Sequence, residues 1–373
     1  MQWREHYYVQ IEVFRIMAKL YATLGPACNQ TDVLAQMLHY GLDGMRLNLS
    51  HTSLKESTQL LSTFRSACRT VGQQADLMID LQGPEQRIDG IPEPYTVTSG
   101  DQLVIQPSVN CKALPAFHVS PGLAAALRTG DHLLIHDGLI RIEIIRNSTP
   151  GANTDTAADD GFLAQVLRGG VLENGQSIKI ENREIKSPAL TAADLMNLDL
   201  AAEAGVTSVM QPFVRSASDL EEVRAALSAR NLHAHIFAKI ETLSGLDHIR
   251  EILPSADVIV IARGDLGNAV PLWSLPGVQK DIAALCREAG KPFMVVTQML
   301  QSMISSPVPT RAEVSDIFNA VLDGADYLMV TGETAIGQYP VQVIRYLAQT
   351  VQEAESYRAR VSTQYSSHSE VSP

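Results

Sequence analysis

Short apolar runs and longer amphipathic segments alternate along most of this chain. The runs occupy residues 19–24, 44–49, 75–81, 207–213, 236–240, 258–262, 292–297 and 327–331, a length that suits buried strands. Between them, residues 31–40, 54–71, 192–204, 217–229, 244–253, 277–288 and 311–322 repeat their apolar positions every three or four residues, which predicts helices. In the segment 244–253, Leu246, Ile249, Ile252 and Leu253 share one face. Thr31 is placed to cap the first helix, and a last helix starts near residue 340. Eight strands alternating with helices predict an α/β chain folded as a (β/α)8 barrel.

The rhythm breaks once. Between residues 85 and 187 the pattern shifts to short alternating strands at 95–97, 102–105, 132–135 and 139–145. Turn signals separate them: Ser99-Gly100-Asp101, Thr129-Gly130-Asp131, Asp137-Gly138 and Asn174-Gly175. This predicts a small all-β domain, residues 85–187, inserted after the third barrel strand. The barrel then takes 17–84 and 188–360, preceded by an arm at 1–16. The Ser-rich segment 361–373 is expected to be a disordered tail.

With 373 residues, 45% of them apolar, the chain suffices for a large core. A net charge of −12 argues against a nucleic-acid surface, although a local cluster of cations still suits a small anionic substrate. Cys28, Cys68, Cys111 and Cys286 are far apart and show no metal-type spacing, which reads as reduced thiols in a cytoplasmic protein. No apolar run approaches the ~20 residues of a membrane span, and the N-terminal stretch lacks a signal-peptide core. The pair His233 and His235 reads as packing or solvent-facing, and Met294, Met299 and Met303 read as core filling.

The chemistry gathers where the predicted strands end, the place where barrels of this kind carry their sites. Strand two ends in Arg46, Asn48, Ser50 and His51, and strand three in Asp80. Strand five supplies Lys239 and Glu241, and strand six Arg263, Gly264 and Asp265. Strand seven supplies Thr297, and strand eight Thr331 and Glu333. Each alone has a structural explanation, such as a surface ion pair, a turn or a buried hydroxyl. Together they would face one rim. Two carboxylates can hold a hard divalent cation, and an adjacent lysine can neutralise phosphate.

The segments MRLNLSH, DLQGPEQR, IHDGLI, PFVRSASDLEEVR, AKIE, ARGDLG and GKPFMVVTQMLQSMISSPVPTRAEVSDIFNAVLDGADYLMVTGETAIGQYP resemble the pyruvate kinase family, to about Val351. The resemblance implies a (β/α)8 barrel with an inserted β-domain acting as a lid, and phosphoryl transfer from phosphoenolpyruvate to ADP. It implies Mg²⁺ or Mn²⁺ on Glu241 and Asp265, and Lys239 and Arg46 on the transferring phosphate. It implies K⁺ on Asn48, Ser50, Asp80 and the Leu81 carbonyl, with Glu85 matching the glutamate of K⁺-dependent members. Backbone N–H groups around Arg263, Gly264 and Asp265, with Thr297, would hold the substrate carboxylate. Thr297, Thr331 and Glu333 would lie on the proton path to the enolate. His51 and, through a loose alignment, Lys179 would contact the nucleotide, as would Arg46.

The sequence also departs from the family pattern. Gln82 stands at a usual lysine, His136 at the first aspartate of D-D-G-L-I, Pro212 at a serine and Ile336 at a lysine. The lid loop is scarcely recognisable in KIENREI. The family's further C-terminal domain has no match here, which leads to an expectation of a monomer or homodimer without sugar-phosphate activation. The departures keep a second reading open: metal-enolate chemistry on another enol phosphate or a 2-oxo acid. A third reading, a silent paralogue, is weakened by the presence of Lys239, Glu241 and Asp265 together.

Overall fold

The computed structural model describes residues 18–106, 115–136, 138–147, 161–181, 183, 185 and 187–368. The expected arm at 1–16, the Asp137 turn and Cys111 lie outside them. Two compact units emerge. One takes the described residues up to Leu81, then Leu195–Leu266 and those from Trp273 onward; the other takes the described residues of Gln82–Asp194, with Gly267–Leu272.

In the first unit, eight parallel strands close into a barrel in chain order: Lys19–Thr23, Leu42–Asn48, Asp76–Asp80, Ser208–Gln211, His235–Ile240, Val258–Ala262, Phe293–Val296 and Tyr327–Met329. The eighth strand pairs with the first, so no edge is left open. Alternate residues point inward, as the two-residue period of a strand requires. Val258, Val260 and Ala262 of the sixth strand therefore join Met294 and Val296 of the seventh, with Tyr21, Met78, Met210, Phe237 and Met329, in one buried interior cluster. Tyr327 packs edge-on against Tyr21 and Phe237, which are tilted against each other, with ring centroids 5.3–6.3 Å apart. Gly44 is required beside them: a Cβ there would come within 2.4 Å of the Tyr21 ring. Met294, Met299 and Met303 are all fully buried, in keeping with core filling.

The helices follow the pattern with local differences. The first spans Thr31–His39, but Gln30 is its cap residue and Thr31 makes no capping hydrogen bond. The next begins at Thr58 rather than near Leu54, because residues 54–57 form a turn in which the Leu54 N–H donates to Asn197. The segment 244–253 splits into Leu243–Asp247 and Ile249–Ile252 at His248. Two helices at strand ends escape the periodicity because they are short: Arg263–Ala269 and Gly332–Ala335. The last helix, Pro340–His368, continues past Arg360, since extending a formed helix is far easier than starting one.

The second unit holds a six-stranded sheet and a two-stranded one. The four strands read from sequence are present, and Ala116–His118, Phe162–Arg168, Gly170–Leu172 and Ile178–Ile180 join them. Ile, Leu, Val, Phe and Ala side chains fill its core, with Phe117, Leu133 and Ile142 fully buried. Among the described residues no helix is long and apolar enough to cross a membrane. Cys28, Cys68 and Cys286 are free thiols.

Candidate active site

Strand register builds the centre of the site. Parallel pairing sets Thr23 beside Arg46 and Asn48 beside Asp80. Arg46 then donates through Nε (2.9 Å) and Nη2 (2.5 Å) to one oxygen of Asp80, Oδ2, and through Nη1 to Thr23 Oγ1 at 3.1 Å. From the fifth strand, Lys239 Nζ lies 3.2 Å from Glu241 Oε2 and 3.8 Å from Asp80 Oδ2. Asp80 and Glu241 are each 2% exposed. Glu241 Oε1 accepts the Phe213 N–H at 2.7 Å. Phe213 makes that contact from a left-handed backbone, φ 53°, and its ring centroid lies 5.8 Å from Lys239 Nζ.

Two cations and two carboxylates thus share a buried volume, and the charges reshape each other. Burial pushes the Glu241 carboxyl up to about 8, against the pull of Lys239. Burial also pulls the Lys239 ammonium down, but Asp80, Glu241 and Asp265 outweigh it and hold the lysine charged. Asp265 acts on both groups electrostatically.

Two carboxylate oxygens of the cluster lack a hydrogen bond. Asp80 Oδ1 and Glu241 Oε2 are buried and take part in no hydrogen bond. A buried carboxylate oxygen without a donor is costly unless a cation compensates it. Among the described residues no group of three or more His, Cys, Asp or Glu gathers into a metal cage. The donor set instead fits a hard divalent ion that takes one or two carboxylates and fills its remaining positions with water and substrate oxygens.

Beside this cluster lies a cavity of about 810 Å³, lined by Pro26, Arg46, Asn48, His51, Thr331 and Ile336 among others. Arg46 belongs to both places. Asn48 Oδ1 accepts the Ser50 N–H at 3.2 Å, and the Leu81 N–H donates to the Met210 carbonyl.

The remaining expected residues are spoken for in ways the sequence hides. Glu333 is fully buried; one oxygen accepts the Leu300 N–H and the other accepts the N–H and hydroxyl of Thr331. Its carboxylate therefore organises Thr331. The Arg263 guanidinium turns to the Thr297 carbonyl and Asp316, which leaves its backbone, with that of Gly264 and Asp265, at the start of the helix Arg263–Ala269. Thr297 has φ 74° and sets its side chain over Gly264. Lys179 stands exposed on the strand Ile178–Ile180 of the inserted sheet, and Glu85 pairs with Arg87 there. Of the departing positions, Gln82 donates its N–H to Asp194, His136 sits at φ 51°, and Ile336 is 66% exposed. Thr23, Phe213 and Asp316 were missed from sequence. No local signal marks them, since their roles arise from register and backbone conformation.

Fold and site together define a (β/α)8-barrel protein whose strand-end cluster of Lys, Arg and carboxylates suits a metal and a phosphate. The family model described as pyruvate kinase, barrel domain, matches residues 16–344. The chain belongs to the pyruvate kinase family. It is 38% identical over 336 residues to the pyruvate kinase of Aeropyrum pernix, covering 88% of this chain and 69% of that one. It is 35% identical over 334 residues to that of Geobacillus stearothermophilus, covering 89% of this chain but only 56% of the relative. The crystal structure of a pyruvate kinase from Cryptosporidium parvum superposes with a TM-score of 0.80 at 28% identity, over 91% of this chain and 69% of that one.

Proposed function

We propose that this chain transfers the phosphoryl group of phosphoenolpyruvate to ADP, giving pyruvate and ATP, in the cytoplasm. The observation that carries the reading is the largely buried Lys239 ammonium, set between Glu241 and Asp80 beside carboxylate oxygens that take part in no hydrogen bond. Phosphoryl transfer needs positioned positive charge more than covalent help from the protein. Lys239 and Arg46 neutralise charge on the phosphoryl oxygens as the bond to the enol oxygen breaks and a terminal oxygen of ADP attacks phosphorus. Glu241 and Asp265 would hold Mg²⁺ or Mn²⁺, which when bound supplies Lewis-acid charge to the phosphoryl and enolate oxygens. Asn48, Ser50, Asp80 and the Leu81 carbonyl would hold K⁺. The backbone of Arg263, Gly264 and Asp265, with Thr297, binds the substrate carboxylate. Thr297 and Thr331, the latter held by Glu333, lie on the path by which the enolate carbon receives its proton. His51 and Lys179 contact the nucleotide, and the inserted domain serves as the lid that excludes water.

A specific observation favours a second reading, in which the acceptor has changed. The Arg46 guanidinium in the cavity wall is already paired with Asp80, and Ile336 adds an exposed apolar side chain there. The chain would then apply the same metal-enolate chemistry to another enol phosphate or a 2-oxo acid.

The deciding experiment measures pyruvate formation from phosphoenolpyruvate and ADP with Mg²⁺, with and without K⁺, beside Lys239→Met. Turnover that requires K⁺ and is lost in the variant is expected. No turnover in a sample that still binds Mn²⁺ and phosphoenolpyruvate would overturn the first reading in favour of the second.

A further inference from the structure

The segment after the seventh barrel strand is strained and tightly held. Thr297 and Gln298 both adopt left-handed backbone, φ 74° and 55°. That region is uncommon for any residue but glycine, and a genuine outlier for a β-branched one. Such a conformation persists only where the surroundings enforce it.

Three acidic side chains hold this segment, one of them through an arginine. The Arg263 guanidinium donates to the Thr297 carbonyl through Nη2 at 2.7 Å and Nε at 3.3 Å. Its Nη1 is engaged by both oxygens of Asp316, at 2.8 and 2.7 Å, and its Nη2 rests against Met299 Sδ. Further along, Glu333 accepts the Leu300 N–H at 3.1 Å, and Glu313 accepts the Ser302 N–H at 2.7 Å. The Arg263 clamp is the contact that touches the strained residue itself. Its effect is to lay the Thr297 side chain over Gly264, with Cγ2 and Oγ1 3.6 and 3.8 Å from where a Cβ of residue 264 would stand.

We propose that Asp316, acting through Arg263, is a positioning residue that holds Thr297 in its left-handed conformation and so keeps its side chain over Gly264, with the hydroxyl donating to the Val296 carbonyl at 2.5 Å. Asp316 touches no substrate. It fixes the guanidinium, the guanidinium fixes the carbonyl, and the carbonyl fixes the threonine. This rests on the reading of Thr297 as part of the proton path.

The test is a set of variants assayed for overall turnover and for exchange of the pyruvate methyl hydrogens with D₂O, which isolates the proton step. Asp316→Ala is expected to lower exchange and kcat about 10- to 100-fold, the scale of a misplacement near 1 Å. KM for phosphoenolpyruvate is expected to stay within about twofold, because ground-state binding is kept. In a Thr297→Ala background the same change is expected to add less than about twofold, since residues acting as one unit are not additive. Gln298→Gly, which relaxes the backbone, is expected to restore part of the loss in Asp316→Ala. Full additivity with Thr297→Ala would mean a merely structural role and overturn the proposal. Asp316→Asn, which keeps an acceptor, covers the case in which the alanine variant does not fold. A crystal structure of Asp316→Ala or Asp316→Asn tests the brace independently of activity: Thr297 is expected to leave the left-handed region, and an unchanged positive φ overturns the brace. A wild-type protein inactive in both assays would sink the functional reading instead, while the backbone result still decides the brace.

Discussion

Two buried carboxylates, one in each compact unit, show what separates the barrel from the inserted domain. Asp194, in the inserted unit, is fully buried, yet its oxygens accept the N–H groups of Gln82, Gly83 and Thr191 and the Thr191 hydroxyl. Glu241, in the barrel, is as deeply buried, yet one oxygen has only the Lys239 charge beside it and no hydrogen bond. A satisfied carboxylate holds structure together, whereas an unsatisfied one costs stability that only a function offsets. The same contrast holds more widely. Ion pairs of the inserted unit, such as Arg141–Glu181, are partly exposed, while Lys239, Arg46, Asp80 and Glu241 are withdrawn from water together.

The contrast can be broken by experiment. Its largest test is Lys239→Met, expected to reduce turnover about 100- to 1,000-fold, the scale of removing one preorganised electrostatic group from an active site; circular dichroism should show the fold retained. Activity within tenfold of wild type would mean the buried charge does not serve the reaction. In the inserted domain the expected injury is to stability. Phe117, fully buried in its core, should cost about 3–5 kcal/mol on truncation to alanine. Hydrogen exchange should place the lost protection within residues 82–194, and a loss spread evenly over the barrel would contradict the division into two units. Asp194→Ala should cost about 1–3 kcal/mol in denaturant unfolding, because it orphans the buried N–H of Gly83 and the part-buried N–H groups of Gln82 and Thr191. The smallest effect is in the barrel: Thr310→Ala removes a capping box in which the Thr310 hydroxyl and Glu313 satisfy each other's N–H, worth about 1 kcal/mol. A loss above that of Asp194→Ala would show that barrel helix ends matter more than the inserted unit's buried carboxylate.

Much of the fold was legible because its signals are local. Val258–Ala262 reads as a buried strand from five apolar residues in a row, and Arg311–Leu322 as a helix from its spacing. Thr31 misled, since a good capping residue type sat one position inside the helix. The helix Arg263–Ala269 was hidden because seven residues are too few to display a period. Lys239, Glu241, Arg46 and Asp80 could be picked out as candidates, because charge at the end of an apolar run is visible in one dimension.

The sequence by itself therefore determined the strand and helix rhythm, the interruption by a β-rich segment, and which polar side chains stand at strand ends. All follow from the two- and 3.6-residue periods, which short stretches carry within themselves. Only the tertiary structure decided the pairing of those side chains. It set Asp80 between Arg46 and Lys239, turned Glu333 onto Thr331 and Leu300, and bent Phe213 and Thr297 into left-handed backbone. Those outcomes depend on register between strands far apart in the chain and on contacts strong enough to hold a strained backbone, and neither leaves a mark on the local sequence.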